Sequence, residues 1–181
     1  MNIPNSISLA RLLSVPLIVY LIMNASYGWA FALFLLAGAS DAIDGYIAKV
    51  LDQTSTLGVY LDPLADKALI VSVYVTLGLR GQIDDFVVIL VVFRDVLIVG
   101  GLLLLLVLRK HWEVKPVLLS KLNTGVQIFL AGAVLAQSGL SVAIGDIVDV
   151  ASYAVVLTTV GSGGWYLVVW ARQMANAEFR Q

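Results

Sequence analysis

The chain has 181 residues, of which 60% are hydrophobic and 13% are charged, and its net charge is −1. Soluble domains carry about 25% charged residues, so this composition predicts an integral membrane protein and argues against nucleic acid as a partner. The sequence contains no cysteine, which excludes disulfide and thiol chemistry. No linker, charge block or internal repeat divides it, so we expect one domain over residues 1–181.

Long apolar runs predict an all-α, polytopic fold with six transmembrane helices. The runs cover approximately residues 7–23, 29–48, 58–79, 86–108, 120–137 and 150–170. The segment before the first run has neither a basic n-region nor a cleavage site, so we expect a retained helix rather than a signal peptide. Residues 138–149 are rich in Gly, Ser and Asp and predict a loop that is at most partly helical.

Lysine and arginine are concentrated on one side of the predicted membrane. Six spans place both termini on the same side as the connectors at 49–57 and 109–119. That side carries seven basic residues, namely Lys49, Arg109, Lys110, Lys115, Lys121, Arg172 and Arg180. The opposite side carries Arg80. The positive-inside rule therefore predicts cytoplasmic termini, as in an inner (plasma) membrane protein of a bacterium.

Four aspartates form two pairs, one at the end of the second run and one at the start of the third. Asp41 and Asp44 are three residues apart, and Asp62 and Asp66 are four apart, so each pair lies on one face of a helix. The short connector would make these helices antiparallel neighbours and let the carboxylates converge. Such a cluster at a membrane boundary is costly to desolvate unless it is protonated or binds cations. Its hard oxygen ligands suit Mg²⁺ or Mn²⁺.

The residues alone leave other classes of protein open. Intramembrane aspartates also mark the ion or proton pathways of transporters. A transporter would usually show repeated halves or paired broken helices, and this sequence has neither. A purely structural membrane subunit is disfavoured because a carboxylate cluster without cations would destabilise it.

The same stretch resembles the signature of the CDP-alcohol phosphatidyltransferases, D-x2-D-G-x2-A-R-x8-G-x3-D-x3-D. Seven of its eight positions match in type and spacing: Asp41, Asp44, Gly45, Ala48, Gly58, Asp62 and Asp66. Lys49 departs from it, with a point charge where arginine would offer a bidentate fork.

That resemblance implies an enzyme in which both Asp pairs bind two divalent cations, Mg²⁺ or Mn²⁺. The cations would hold the diphosphate of CDP-diacylglycerol, and Asp66 would be the general base for the incoming hydroxyl. It also implies a homodimer. Four further positions would bind CDP-diacylglycerol: Gly45, Ala48, Lys49 and Gly58.

Shorter stretches resemble the CMP-forming cardiolipin synthases, which transfer the phosphatidyl group to phosphatidylglycerol. They cover residues 2–11, 61–67, 94–95 and 120–124. Phosphatidylglycerophosphate synthases share the first two and use glycerol 3-phosphate, so they are the alternative.

We expect the site in a polar cavity that faces the cytoplasm. A lipid acceptor would require a lateral opening between spans, and a soluble acceptor would require a polar cytoplasmic mouth. Five residues are candidates for binding the phosphate of either acceptor: Lys67, Arg94, Arg109, Lys121 and Asn123. Arg94 and Asp95 are equally compatible with an internal ion pair, and Lys67 with snorkelling or pairing to an aspartate. Arg11, in the first turns of the first run, is expected to reach the lipid headgroups, with contact to the substrate as the alternative.

Overall fold

A computed structural model describes the backbone of residues 3–51, 58–107 and 118–178, and the side chains of residues 6–40, 65–101 and 118–169. The described residues form six α-helices: α1 (Ile3–Met23), α2 (Tyr27–Leu51), α3 (Gly58–Leu79), α4 (Asp85–Val107), α5 (Leu118–Leu140) and α6 (Gly145–Glu178). The predicted all-α class is confirmed.

Three stretches among the described residues are long and apolar enough to cross a membrane: Ser6–Met23, Leu118–Leu140 and Gly145–Val169. A shorter apolar stretch covers Tyr27–Ser40. Large apolar side chains also cover the outer faces of these helices, including Leu13, Phe129 and Leu157. Surfaces of this kind are stable in lipid rather than in water. The protein is therefore an integral membrane protein.

The segment 138–149, predicted as a loop with some helix, contains more helix than loop. α5 continues to Leu140 and α6 begins at Gly145, so residues 141–144 alone connect them. Ser141 makes this short turn with a positive φ of 55°. α6 also ends at Glu178 rather than near 170. At about 1.5 Å per residue, its 34 residues span about 51 Å, more than the ~30 Å thickness of a bilayer core.

The core consists of the apolar faces of the helices that pack against one another. α1 packs against α2 and α3, α5 packs against α2, α3 and α6, and α4 packs against α3 and α6. Buried side chains recur at helical spacing, as Ile18 and Ile22 do on α1 and Val73 and Leu77 do on α3. α1 therefore joins the two helices that carry the paired aspartates.

Backbone contact between glycines closes one end of the bundle. A Cβ placed on Gly139 of α5 would lie 2.6 Å from the Cα of Gly28 on α2, so α5 could not hold this position with a larger residue. Nearby, the Ser138 hydroxyl donates to the Gln82 side-chain carbonyl at 2.6 Å. Asp66 lies near the opposite end of α3, so this contact is remote from the candidate site.

Candidate active site at the start of α3

Both aspartate pairs lie on helices, as their spacing predicts. α2 includes Asp41 and Asp44, and α3 begins at Gly58 and includes Asp62 and Asp66. Asp66 is the member whose side chain is described. The other signature side chains lie outside the described set: Asp41, Asp44, Ala48, Lys49 and Asp62. Arg109 lies outside the described residues altogether. Convergence of the four carboxylates therefore stays a prediction.

Arg11 does not reach the lipid headgroups, so that expectation is wrong. Its side chain is 2% exposed and its guanidinium is paired with the carboxylate of Asp66. The cause is the packing of α1 on α3, which turns the face of α1 that carries Arg11 inward. A signal was present in the sequence, because Arg11 shares its helical spacing with the buried stripe formed by Ser8, Val15, Ile18 and Ile22.

A second charged group joins α3 to α4 beside Asp66. The Lys67 ammonium donates to Asp95 Oδ2 at 2.8 Å, and the Arg94 Nη1 donates to Asp95 Oδ1 at 2.7 Å. Arg94 and Asp95 are both almost fully buried. The structure therefore contains the internal Arg94–Asp95 pair and the Lys67–aspartate pair that the sequence left open. Contact of Lys67 or Arg94 with an acceptor stays a prediction.

The two acceptor candidates on α5, Lys121 and Asn123, lie on different faces of the helix. Lys121 is exposed, whereas Asn123 is fully buried. The Asn123 side-chain carbonyl accepts hydrogen bonds from Thr158 at 2.8 Å and from Thr159 at 2.9 Å. Asn123 therefore ties α5 to α6, and Lys121 faces outward two residues earlier.

Several polar residues of this interior were not predicted as part of the site. Ser120 and Ser162 accept hydrogen bonds from Arg94 Nη2 at 2.5 Å and 2.7 Å. Tyr74 donates to the backbone carbonyl of Gln127 at 3.0 Å. The spacing of Ser120, Asn123 and Gln127 on one face of α5 was the available signal.

Two cavities among the described residues lie away from Asp66. One, of about 390 Å³, is at the turn between α3 and α4, near the far end of the bundle. The other, of about 500 Å³, is an apolar groove between α5 and α6. Polarity of a cavity beside the aspartates is therefore still a prediction.

Asp66 is an oxygen donor of the kind that a hard divalent cation prefers. Asp66 keeps 39% of its side-chain surface exposed beside Arg11, so its carboxylate is accessible to an ion. The backbone of α2 and α3 carries the other three carboxylates of the set at matching helix ends. A site with oxygen donors alone favours Mg²⁺ or Mn²⁺ over softer metals.

Comparisons with known proteins give a family and named relatives. The chain is 35% identical over 180 residues to the rice protein named CDP-diacylglycerol–glycerol-3-phosphate 3-phosphatidyltransferase 1, chloroplastic, covering 90% of the chain and 55% of that protein. It is 35% identical over 151 residues to human cardiolipin synthase (CMP-forming), covering 75% and 50%. A fission-yeast cardiolipin synthase (CMP-forming) / mitochondrial hydrolase fusion protein is 34% identical over 182 residues, covering 92% and 31%.

The chain thus spans between about a third and just over half of the length of these relatives. The model of the CDP-alcohol phosphatidyltransferase family matches residues 1–171, which include all of α1 to α5 and the aspartates of the signature. The chain therefore belongs to the CDP-alcohol phosphatidyltransferase family.

Proposed function

We propose that this chain transfers a phosphatidyl group from CDP-diacylglycerol to the hydroxyl of phosphatidylglycerol, giving cardiolipin and CMP. The observation that carries the proposal is the set of seven matched signature positions on α2 and α3. The relatives named cardiolipin synthase support the choice of acceptor. Glycerol 3-phosphate is the alternative acceptor, because the rice relative is named for it.

In this reaction a bond forms between the acceptor oxygen and the phosphorus next to diacylglycerol, while the bond from that phosphorus to CMP breaks. Asp66 accepts the proton of the hydroxyl, which a general base within hydrogen-bond reach can do. Arg11 fixes the orientation of Asp66 from α1. Lys49 lies on the signature stretch and would contact the diphosphate.

Four aspartates would hold two divalent cations, either Mg²⁺ or Mn²⁺: Asp41, Asp44, Asp62 and Asp66. When bound there, the cations would supply positive charge where negative charge develops on the leaving CMP. Gly45 and Gly58, which lack a Cβ, would let the backbone approach the nucleotide closely, and Ala48 would leave room beside them.

The membrane arrangement belongs to the same proposal. We infer that all six helices cross the membrane, that a polar cavity beside Asp66 faces the cytoplasm, and that the termini lie on that side. The distribution of Lys and Arg supports this orientation. The names of two relatives place one in the chloroplast and include the word mitochondrial in the other. The bacterial inner membrane that we infer for this chain therefore does not come from these relatives. Assembly as a homodimer is likewise inferred from the family resemblance.

The decisive experiment measures CMP release by purified protein in CDP-diacylglycerol micelles with Mg²⁺. Phosphatidylglycerol, glycerol 3-phosphate and no acceptor are compared, with Asp66→Asn as the inactive control. CMP release that requires phosphatidylglycerol and yields cardiolipin supports the proposal. Release with glycerol 3-phosphate instead would assign the alternative acceptor. If folded protein releases no CMP under any condition, both acceptors are rejected and ion or proton transport becomes the favoured function.

A further inference from the structure

Three charged residues form a cluster between α3 and α4, which we name the Lys67–Asp95–Arg94 cluster. Each oxygen of the Asp95 carboxylate accepts from one cation, at 2.8 Å from Lys67 and at 2.7 Å from Arg94. The Asp95 side chain is 2% exposed, so water does not compete for these bonds. Two cations and one carboxylate leave a local excess of positive charge.

The two cations of the cluster have different surroundings. Arg94 makes three hydrogen bonds, to Asp95, Ser120 and Ser162, and it is 3% exposed. Its aliphatic stem lies beside Gly163, where an added Cβ would come within 3.7 Å. Arg94 is thus anchored to α5 and α6 as well as to its own helix, and little of its guanidinium is available to a ligand.

Lys67 is the open member of the cluster. Its side chain is 22% exposed, and the bond to Asp95 is the one hydrogen bond found for it among the described residues. An ammonium group has three donors, so two remain for another partner. Lys67 also follows Asp66 directly in the chain. Lys67 and Asp66 thus lie on the same turn of α3, with Asp66 paired to α1 and Lys67 paired to α4.

We propose that Asp95 is a positioning residue that aims the Lys67 ammonium at a phosphate oxygen of the acceptor. A lysine stem is flexible, and holding it in one orientation costs conformational entropy that a fixed carboxylate reduces. Arg94, clamped by the two serines, keeps Asp95 in place. Lys67 rather than Arg94 is then the cation that contacts the acceptor. This inference rests on the proposed phosphatidyl transfer.

A double-mutant cycle tests whether Asp95 acts through Lys67. The variants are Lys67→Met, Asp95→Asn and the combination, and the readouts are KM for the acceptor and kcat for CMP release. Loss of one charge-assisted hydrogen bond raises the acceptor KM by about tenfold in Lys67→Met, while kcat changes little. We expect Asp95→Asn to raise this KM in the wild-type background and to add almost nothing in the Lys67→Met background. Equal effects of Asp95→Asn in both backgrounds would overturn the proposal.

Binding measured without catalysis separates this inference from the proposed function. The melting temperature is recorded for wild type, Lys67→Met and Lys67→Arg with inorganic phosphate, glycerol 3-phosphate or phosphatidylglycerol micelles. We expect these additives to raise the melting temperature of wild type and Lys67→Arg but not that of Lys67→Met. The additive that raises it shows whether the site binds a free phosphate or a lipid phosphodiester. Identical shifts in wild type and Lys67→Met would refute the role of Lys67, even in an active enzyme. If wild-type protein releases no CMP but is still stabilised through Lys67, the proposed function is refuted and the role of Lys67 in binding phosphate is not.

If Asp95→Asn fails to fold, the Lys67→Met measurements still test the acceptor contact, because that variant leaves the buried Arg94–Asp95 pair intact. Arg94→Lys is the matched variant for the other cation. We expect it to lower the melting temperature and, because Arg94 keeps Asp95 in place, to raise the acceptor KM of the folded fraction less than Lys67→Met does. A tenfold rise in that KM without loss of stability would assign the acceptor contact to Arg94 instead.

Discussion

The guanidinium of Arg11, on α1, is paired with the carboxylate of Asp66, on α3. Arg11 is buried, whereas Asp66 keeps more than a third of its side-chain surface exposed. The N-terminal helix, which carries none of the signature positions, thereby brings a fixed positive charge to the proposed general base. α1 is consequently part of the candidate site as well as of the core.

We expect Arg11→Gln to lower both activity and stability. Breaking a fully buried ion pair costs about 3–5 kcal/mol, and the exposure of Asp66 reduces this to about 2 kcal/mol here. CMP release and melting temperature in detergent measure the two effects. Arg80→Gln is the matched control, because Arg80 is exposed at the far end of α3. Wild-type activity and stability in Arg11→Gln would show that the pair serves neither purpose.

The sequence predicts the helical class and the placement of the aspartate pairs because both depend on local periodicity. It does not decide the direction of Arg11, since an arginine near the end of an apolar run suits either a headgroup or an internal carboxylate. That choice depends on how α1 packs on α3. The predicted end of the fifth run, at residue 137, falls short of the end of α5 at Leu140 for a similar reason. Gly139 resembles a helix breaker in sequence, but it serves a close contact with Gly28 that no local pattern reveals.

The glycine contact predicts a large difference between two substitutions on α5. Gly139→Ala would place a Cβ 2.6 Å from backbone atoms of α2, which side-chain rotation cannot relieve. At Gly132, about two turns earlier on the same helix, an added Cβ would meet Phe34 at an ordinary 3.7 Å. We expect Gly139→Ala to lower the melting temperature clearly. Gly132→Ala should be neutral or stabilising, because alanine favours a helix by about 1 kcal/mol over glycine. Equal melting temperatures would contradict the close approach.

Two buried polar residues on α5, Gln127 and Asn123, predict opposite changes in stability when each is replaced by an apolar residue. Both side-chain amide atoms of Gln127 are buried and have no hydrogen-bond partner among the described residues. Replacing Gln127 by Met removes this cost at similar volume, so we expect stabilisation by about 1–2 kcal/mol. Asn123→Leu instead removes the acceptor of two threonine hydroxyls and should destabilise the protein. Thermal unfolding in detergent measures both, and destabilisation by Gln127→Met would indicate a bound water or ligand at this amide.

The lack of native cysteine permits a direct test of the six-span arrangement. Single cysteines at Ser26 and Ser141 lie in the turns after α1 and α5, and one at Ser55 lies in the connector between α2 and α3. Six crossings place the first two on one side of the membrane and the third on the other. We expect an impermeant thiol reagent, applied to intact cells, to label Ser26→Cys and Ser141→Cys but not Ser55→Cys. Labelling of all three would contradict the proposed topology.

Removal of divalent cations tests the role of the aspartates. Without cations, the carboxylates of the proposed site would repel one another and could not hold the diphosphate of CDP-diacylglycerol. We therefore expect EDTA to abolish CMP release and Mg²⁺ or Mn²⁺ to restore it. Asp62→Asn, which removes one ligand charge, should require a higher cation concentration for half-maximal activity. Asp149→Asn, at an exposed position on α6, is the matched control and should respond to cations as wild type does. Activity that persists in EDTA, or an unchanged requirement in Asp62→Asn, would exclude this carboxylate set as the cation site.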